Sequence, residues 1–96
     1  MIGDLVSSKA GRDEGRYYVI VAEDGKGYVY VADGEFKKLA NPKRKNIKHL
    51  KFEEETLDII KAKLIEKREV FDSEIKSALR RYNQKTVGGN RCQKKM

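Results

Sequence analysis

The first half of the chain alternates β-branched and aromatic runs with glycine-containing turns. Residues 17–22 are Tyr-Tyr-Val-Ile-Val-Ala, and residues 28–32 are Tyr-Val-Tyr-Val-Ala. Such compositions are typical of strands. The connecting residues 23–27 include two glycines, which supply the positive φ angles that tight turns require. The pattern therefore predicts a β-hairpin.

Three further strands are predicted around this hairpin. Asp33-Gly34 is a strong tight-turn signal, and Asn41-Pro42 breaks the chain again. The additional strands are residues 4–8, Phe36–Leu39 and Ile47–Phe52. Five short strands joined by tight turns predict a small barrel over residues 1–52.

After Phe52 the hydrophobic period becomes that of a helix. Leu57, Ile60 and Leu64 fall on one helical face. Glu53–Glu55 would lie at the start of this helix and Lys67-Arg68 near its end, which are the positions that the helix dipole favours.

A second helix is predicted to begin at Asp72 or Ser73, since either residue is a good N-cap. Its apolar face would consist of Phe71, Ile75, Ala78, Leu79 and Tyr82. Either helix alone would be marginal in water, so we expect the two to pack on each other or on the barrel. The predicted class is mainly β plus α, with a helical appendage over 53–85 and a flexible basic tail over 86–96.

Charge is distributed unevenly along the chain, which carries a net charge of +7. Residues 1–35 have a net charge of −3, residues 36–51 of +7 with no acidic residue, and residues 52–85 of zero. An excess of positive charge favours polyanions such as RNA, DNA or an anionic membrane. A run without acidic partners is costly in self-repulsion, so we expect an anionic ligand there.

Several functional classes lack support in the sequence. The single cysteine, Cys92, can form neither an internal disulfide nor a structural zinc site. No Walker A motif, HExxH motif or metal-spaced ligand cluster is visible, so we expect no catalysis and no cofactor. The longest uncharged stretch in the hydrophobic first half is Tyr17–Ala22, far short of a membrane span, and no signal peptide is visible. We expect a cytoplasmic monomer that does not bind a membrane.

The N-terminal residues carry a resemblance to a known family. Gly3-Asp4-Leu5-Val6 followed by Gly11-Arg12-Asp13-Glu14-Gly15-Arg16-Tyr17 resembles the KOW motif, with Val6 as the buried hydrophobe and Gly15 as the key glycine. Together with Ala32-Asp33-Gly34, Lys43–Asn46 and Lys48-His49-Leu50, it looks like the bacterial KOW-domain RNA-binding proteins. Those are similar to a large-subunit ribosomal protein of archaea and eukaryotes.

The resemblance covers residues 1–52 well and the helices loosely. It implies a five-stranded SH3-like barrel that binds structured RNA through its phosphates and shape rather than through single bases. The implied RNA is ribosomal, of the 23S type on the large subunit, and the implied role lies in translation, ribosome assembly or quality control. KOW barrels also occur in transcription elongation factors, so the alternative is a module that docks to a ribosomal protein or to RNA polymerase.

The candidate RNA-binding residues lie in the glycine loop and in the basic segment. Arginine can hold a phosphate through two hydrogen bonds or stack on an unpaired base. The candidates are Lys9, Arg12, Arg16, Lys37, Lys38, Lys43, Arg44, Lys45, Lys48 and His49, and Lys51 extends the same basic run. Gly3, Val6, Gly11 and Gly15 are the candidate structural residues of the motif.

Each candidate also has a structural interpretation. The lysines could be a solvated face, and Arg12 and Arg16 could pair with Asp13 and Glu14. His49 could be a hydrogen-bonded residue beside the core. The tyrosines of the hairpin could stack on bases, but cross-strand packing is the more ordinary role for them.

Overall fold

The computed structural model describes the backbone of residues 1–92 and the side chains of residues 1–83. Five strands form one antiparallel sheet, and two helices follow it in the chain. In order, the elements are β1 (Asp4–Ser8), β2 (Tyr17–Glu23), β3 (Tyr28–Ala32), β4 (Lys43–Asn46), a 3-10 turn (Ile47–His49), β5 (Leu50–Thr56), α1 (Asp58–Ile65) and α2 (Asp72–Cys92). The predicted β-plus-α class is confirmed, as are the first three strands.

The strand order is β4-β3-β2-β1-β5, so β4 and β5 are the two edges and the sheet is not closed. In a flat sheet these edges would lie about 19 Å apart. However, β4 ends at Asn46 and β5 begins at Leu50, and a 3-10 turn rises only about 2 Å per residue. The chain cannot bridge a flat sheet in so few residues. The sheet is therefore strongly curled, with β4 folded back toward β1.

Two hydrophobic cores lie on opposite faces of the curled sheet. The inner core contains Val6, Tyr18, Ile20, Val29, Val31 and Leu50, and the outer core contains Leu5, Val19, Ile60, Ile75 and Leu79. Neighbouring residues such as Leu5 and Val6 enter different cores because successive side chains of a strand point to opposite faces. Strands β1 and β2 are thus covered on both faces, which explains the nearly continuous apolar run in β2.

Both helices cover the outer face of the sheet. Ile60 on α1 and Ile75 and Leu79 on α2 are buried there, as the helical period predicts. Phe71 was expected on the same apolar face, but it is 53% exposed. Within the part of the chain described, neither helix combines the length and apolar character needed to cross a membrane.

The predicted strand at Phe36–Leu39 is wrong, because residues 33–37 form a tight turn around a buried side chain. The Asp33 carboxylate accepts the backbone N–H groups of Glu35 and Lys37 at 2.9 and 2.8 Å. The fourth strand is Lys43–Asn46 instead. It has no apolar alternation to reveal it, and as an edge strand it tolerates charged residues well.

The predicted helix start at Glu53–Glu55 is also wrong. These residues belong to β5, which pairs with β1 through Phe52 opposite Val6 and Thr56 opposite Asp4. The predicted strand Ile47–Phe52 is correct only from Leu50 onward. The flexible tail over residues 86–96 stays a prediction: the backbone of α2 extends to Cys92, and residues 93–96 lie outside the described part.

Candidate functional site

The loop between β1 and β2, residues 9–16, is shaped by two glycines. Gly11 and Gly15 have φ angles of 89° and 88°, a region that a Cβ penalises. Glycine is therefore favoured at both positions. The Gly15 N–H donates to the Ser8 carbonyl at 2.8 Å, and the Ser8 N–H donates to the Arg16 carbonyl at 3.0 Å. The Gly15 amide therefore already has a hydrogen-bond partner within the protein.

The other two motif residues have structural positions. Gly3 is buried with a φ angle of 88°, and its N–H donates to the Ile20 carbonyl at 2.7 Å. Val6 is fully buried in the inner core, as predicted. Gly3 therefore fixes the start of β1, and Val6 packs the middle of the strand into the inner core.

Asp13 is the centre of a polar network beneath this loop. Its Oδ1 accepts the Ser8 hydroxyl at 3.0 Å and the Lys45 ammonium group at 3.3 Å. Its Oδ2 accepts the Tyr18 hydroxyl at 2.8 Å. The Lys45 Nζ also donates to the Ser8 Oγ at 3.0 Å. The network therefore joins the loop to β1, β2 and β4.

These contacts favour the ionised form of Asp13. Burial opposes ionisation of the carboxyl group, but the hydrogen bonds from Tyr18, Ser8 and Lys45 outweigh it and lower the pKa from 3.8 to about 2. Burial, together with the hydrogen bond to Asp13, raises the pKa of Tyr18 well above its ordinary value of 10. At neutral pH Asp13 is therefore a carboxylate and Tyr18 a neutral phenol.

The Asp13 network changes the role expected for two of the predicted RNA-binding residues. Lys45 is only 8% exposed, and its ammonium group is used inside the protein. The Lys43 Nζ lies 3.5 Å from the Asp13 Oδ2. The structure thus places Lys45 among the structural residues and gives Lys43 an acidic partner.

Arg44 and Arg16 also have acidic partners. Arg44 donates to Asp24 at 3.0 Å, and its guanidinium carbon lies 3.9 Å from the centre of the Tyr28 ring. The backbone N–H of Lys26 and the Arg44 side chain lower the pKa of Asp24 against a smaller opposing effect of burial. The Arg16 Nε donates at 2.9 Å to Asp33, whose carboxylate is completely buried.

Several residues with a predicted RNA-binding role remain exposed beside the loop. Lys9, Arg12, Lys48, His49 and Lys51 form no side-chain hydrogen bond or ion pair with any residue that the structure describes. We call these five residues the loop–turn surface. His49, considered as a residue beside the core, is in fact exposed, and no group of three or more metal-ligating side chains occurs in the described part.

Backbone contacts bring the loop–turn surface together. The Lys9 N–H donates to the His49 carbonyl at 2.8 Å, so the glycine loop lies beside the 3-10 turn that carries Lys48. Lys51 on β5 lies opposite Ser7 on β1, and Ser7 is two residues before Lys9 in the chain. Residues about 40 positions apart in the sequence therefore form one basic surface.

Lys37 and Lys38 lie on a neighbouring loop. The Lys37 carbonyl accepts the Asp33 N–H at 2.9 Å, which closes the 33–37 turn. This turn contacts the glycine loop through Arg16, whose guanidinium group donates to Glu35 at 3.3 Å. Lys37 therefore belongs to the 33–37 turn, with Lys38 next to it, and the two lysines are not members of the loop–turn surface.

The acidic partners were the residues that sequence reasoning missed. The chain has seven acidic residues among positions 1–35, directly before the basic segment. Two of them, Asp13 and Asp24, pair with cations of β4. The charge imbalance between the two segments was the signal that could have indicated this pairing.

Comparison of the chain with models of known protein families found no match, and comparison with curated proteins found none either.

Proposed function

We propose that this protein binds structured RNA without catalysing a reaction, and that the loop–turn surface is the principal contact. The observation that carries the proposal is the hydrogen bond from the Lys9 N–H to the His49 carbonyl. It places Lys9 of the glycine loop beside the 3-10 turn that carries Lys48, and neither lysine has an acidic partner in the described residues. A polyanion is the ligand class that such a surface favours.

The expected mode of binding is recognition of phosphates and shape. Each lysine or arginine that neutralises a phosphate releases counterions, so affinity falls steeply as salt rises. The Asp13 network fixes the glycine loop that carries Arg12, which reduces the backbone entropy that binding would cost.

The curled sheet supports a finer interpretation of the fold. We propose a half-open SH3-like barrel of the KOW type, in which the inner core fills the barrel and β4 folds back toward β1. The contact from Lys45 on β4 to Ser8 on β1, at 3.0 Å, supports this curvature. The resemblance of residues 1–52 to KOW-domain proteins extends the proposal to large-subunit ribosomal RNA, bound by a cytoplasmic monomer in translation, ribosome assembly or quality control.

A filter-binding titration against purified large-subunit ribosomal RNA at several salt concentrations tests the proposal. Lys9→Gln/Lys48→Gln should weaken binding and flatten the plot of log affinity against log salt by about 0.7–0.9 for each phosphate that is no longer neutralised. The control is Lys67→Glu, which changes the net charge by the same amount on an exposed residue after α1. Equal effects of the two variants would refute a localised surface and leave only a general charge effect.

The experiment avoids the three consecutive cations of β4, the densest part of the basic segment. Replacing Lys43, Arg44 and Lys45 together would remove the buried Lys45 and three ion pairs, so weaker binding could reflect unfolding. Crosslinking in cells followed by RNA sequencing then identifies the RNA. Reads concentrated on one region of large-subunit ribosomal RNA are the expected result.

A protein partner is the second candidate, and an apolar groove favours it. Ile59 on α1 is 73% exposed, beside a groove lined by Leu57, Ile60 and Ala78. Such a groove could receive a ribosomal protein or RNA polymerase. Co-purification of a partner after nuclease treatment, abolished by Ile59→Asp, would favour docking over RNA binding.

A further inference from the structure

A cleft lies between the 33–37 turn and α2, on a part of the molecule that the loop–turn surface does not include. It has a volume of about 480 Å³, and it is lined by Arg16, Asp33, Glu35, Phe36, Lys76, Arg80 and Asn83. Three of these seven side chains are cationic, two are acidic and one is aromatic. A ligand with both a flat ring and negative charge would complement the aromatic ring and the excess of positive charge in this lining.

The cleft exists because the 33–37 turn packs closely on the first turn of α2. Gly34 has a φ angle of 79°, and a Cβ there would collide with the Asp72 carbonyl and approach the Lys76 nitrogen to 2.7 Å. The Asp72 carboxylate also accepts the Leu39 N–H at 2.7 Å. The turn is therefore fixed on the helix from both ends, with Phe36 between the two fixed points.

Phe36 forms an exposed aromatic platform. Its side chain is 68% exposed, and the Arg16 guanidinium carbon lies 4.6 Å from the ring centre. Arg16 is itself held by Asp33 at 2.9 Å and by Glu35 at 3.3 Å. One face of the ring is thus covered by a fixed cation, and the large exposure leaves the other face accessible to a planar ligand.

Lys76 and Arg80 supply positive charge on the helix side of the cleft. They are four residues apart on α2 and therefore project from the same side of the helix. Both are exposed, and neither forms an ion pair or hydrogen bond through its side chain with a residue in the described part of the chain. In contrast, both acidic residues of the cleft, Asp33 and Glu35, are already engaged by Arg16.

We propose that this cleft binds an unpaired nucleotide of RNA, with its base stacked on Phe36 and its phosphate held by Lys76 and Arg80. Aromatic side chains accept any base in this way, and the attraction does not depend on sequence. The inference rests on the proposed function for the choice of RNA as ligand. It adds a second contact, by which the protein would select RNA that exposes a single-stranded nucleotide.

Nuclear magnetic resonance of the ¹⁵N-labelled full chain tests the cleft without any RNA target. The probes are adenosine monophosphate, adenosine and inorganic phosphate. We expect adenosine monophosphate to shift the amides of residues 33–37 and 76–80, and inorganic phosphate to shift only 76–80. Phe36→Leu should weaken nucleotide binding at least fivefold, the lower end of what one stacked base contributes.

Two controls keep the result specific. Phe52→Leu, which replaces a 40% exposed phenylalanine on β5, should leave nucleotide binding unchanged. Lys9→Gln/Lys48→Gln should also leave it unchanged, because the loop–turn surface is separate. Equal responses to inorganic phosphate and adenosine monophosphate, or equal affinities of Phe36→Leu and the parent protein, would overturn the proposal.

An RNA titration separates this inference from the proposed function. A ten-nucleotide single strand with one 2-aminopurine should show reduced fluorescence on stacking, and Phe36→Leu should abolish that reduction. If the cleft binds nucleotides while Lys9→Gln/Lys48→Gln leaves the affinity for ribosomal RNA unchanged, the loop–turn surface is refuted and the cleft stands. If the cleft binds no nucleotide while Lys9→Gln/Lys48→Gln weakens the affinity for ribosomal RNA, the cleft is refuted and the proposed function stands.

Discussion

Replacing Asp13 by Asn should make the free energy of unfolding markedly less sensitive to a fall in pH. The carboxylate accepts hydrogen bonds from Ser8, Tyr18 and Lys45, and these lower its pKa from 3.8 to about 2. Because the pKa is lower in the folded protein than in the unfolded chain, ionised Asp13 stabilises the fold above about pH 5. That stabilisation disappears as the pH falls through 3.8 toward 2.

The magnitude follows from the difference between the two pKa values. A change from 3.8 to about 2 corresponds to about 2 kcal/mol of stability at neutral pH. Between pH 5.5 and pH 2.5 the parent protein should lose about two thirds of it. Asp13→Asn has no carboxyl group to protonate at this position. The difference in free energy of unfolding between the parent protein and this variant should therefore decrease by the same amount between pH 5.5 and pH 2.5.

Urea unfolding followed by circular dichroism at pH 5.5, 4.0, 3.2 and 2.5 measures the difference. The chain contains no tryptophan, so a tryptophan fluorescence signal cannot be used. Glu14→Gln is the matched control, since Glu14 is the next carboxylate in the chain and is exposed. Its effect should stay within about 0.5 kcal/mol at every pH.

A difference between Asp13→Asn and the parent protein that stays constant from pH 5.5 to pH 2.5 would refute this account. A double-mutant cycle gives an independent check. With Asp13 replaced, the nearly buried Lys45 would be an uncompensated cation. Lys45→Met should therefore cost less in the Asp13→Asn background than in the parent protein.

Two further pairs of variants test the packing. Gly34→Ala should destabilise the protein by about 1–3 kcal/mol more than Gly25→Ala, because both have positive φ but only the Cβ at Gly34 would collide with the Asp72 backbone. Equal urea midpoints would contradict that packing. Leu79→Ala should cost about 2–5 kcal/mol, while Ile59→Ala should change stability by about 0.5 kcal/mol at most, since Leu79 is 1% exposed and Ile59 73%. Thermal unfolding measures both, and a large destabilisation at Ile59 would show that α1 is packed differently.

Local patterns accounted for the elements that have a strong period. Strands β2 and β3 coincide with the two β-branched and aromatic runs, and α2 begins at Asp72, one of the two predicted starts. Asp72 is the first residue of the helix, and its carboxylate binds the Leu39 N–H. The predictions were wrong where the pattern was weak or was compatible with both a strand and a helix. The run Lys43–Asn46 has no apolar alternation and still forms a strand, because β3 supplies its hydrogen-bonding partners. Glu53–Glu55 suit a helix start equally well, but pairing with β1 extends the strand through them.

The sequence by itself determined the class of the fold, the glycine loop and the excess of positive charge in residues 36–51. Those features depend on near neighbours, namely side-chain alternation, glycine conformation and composition. Only the tertiary structure decided which cations are available to a ligand. Lys45 donates a hydrogen bond to Asp13, 32 positions earlier in the chain, and the Lys9 N–H donates to His49, 40 positions later. Both contacts form because the curled sheet brings β4, the 3-10 turn and the glycine loop together. Charge pairing over such separations depends on strand order, which no local pattern in the chain records.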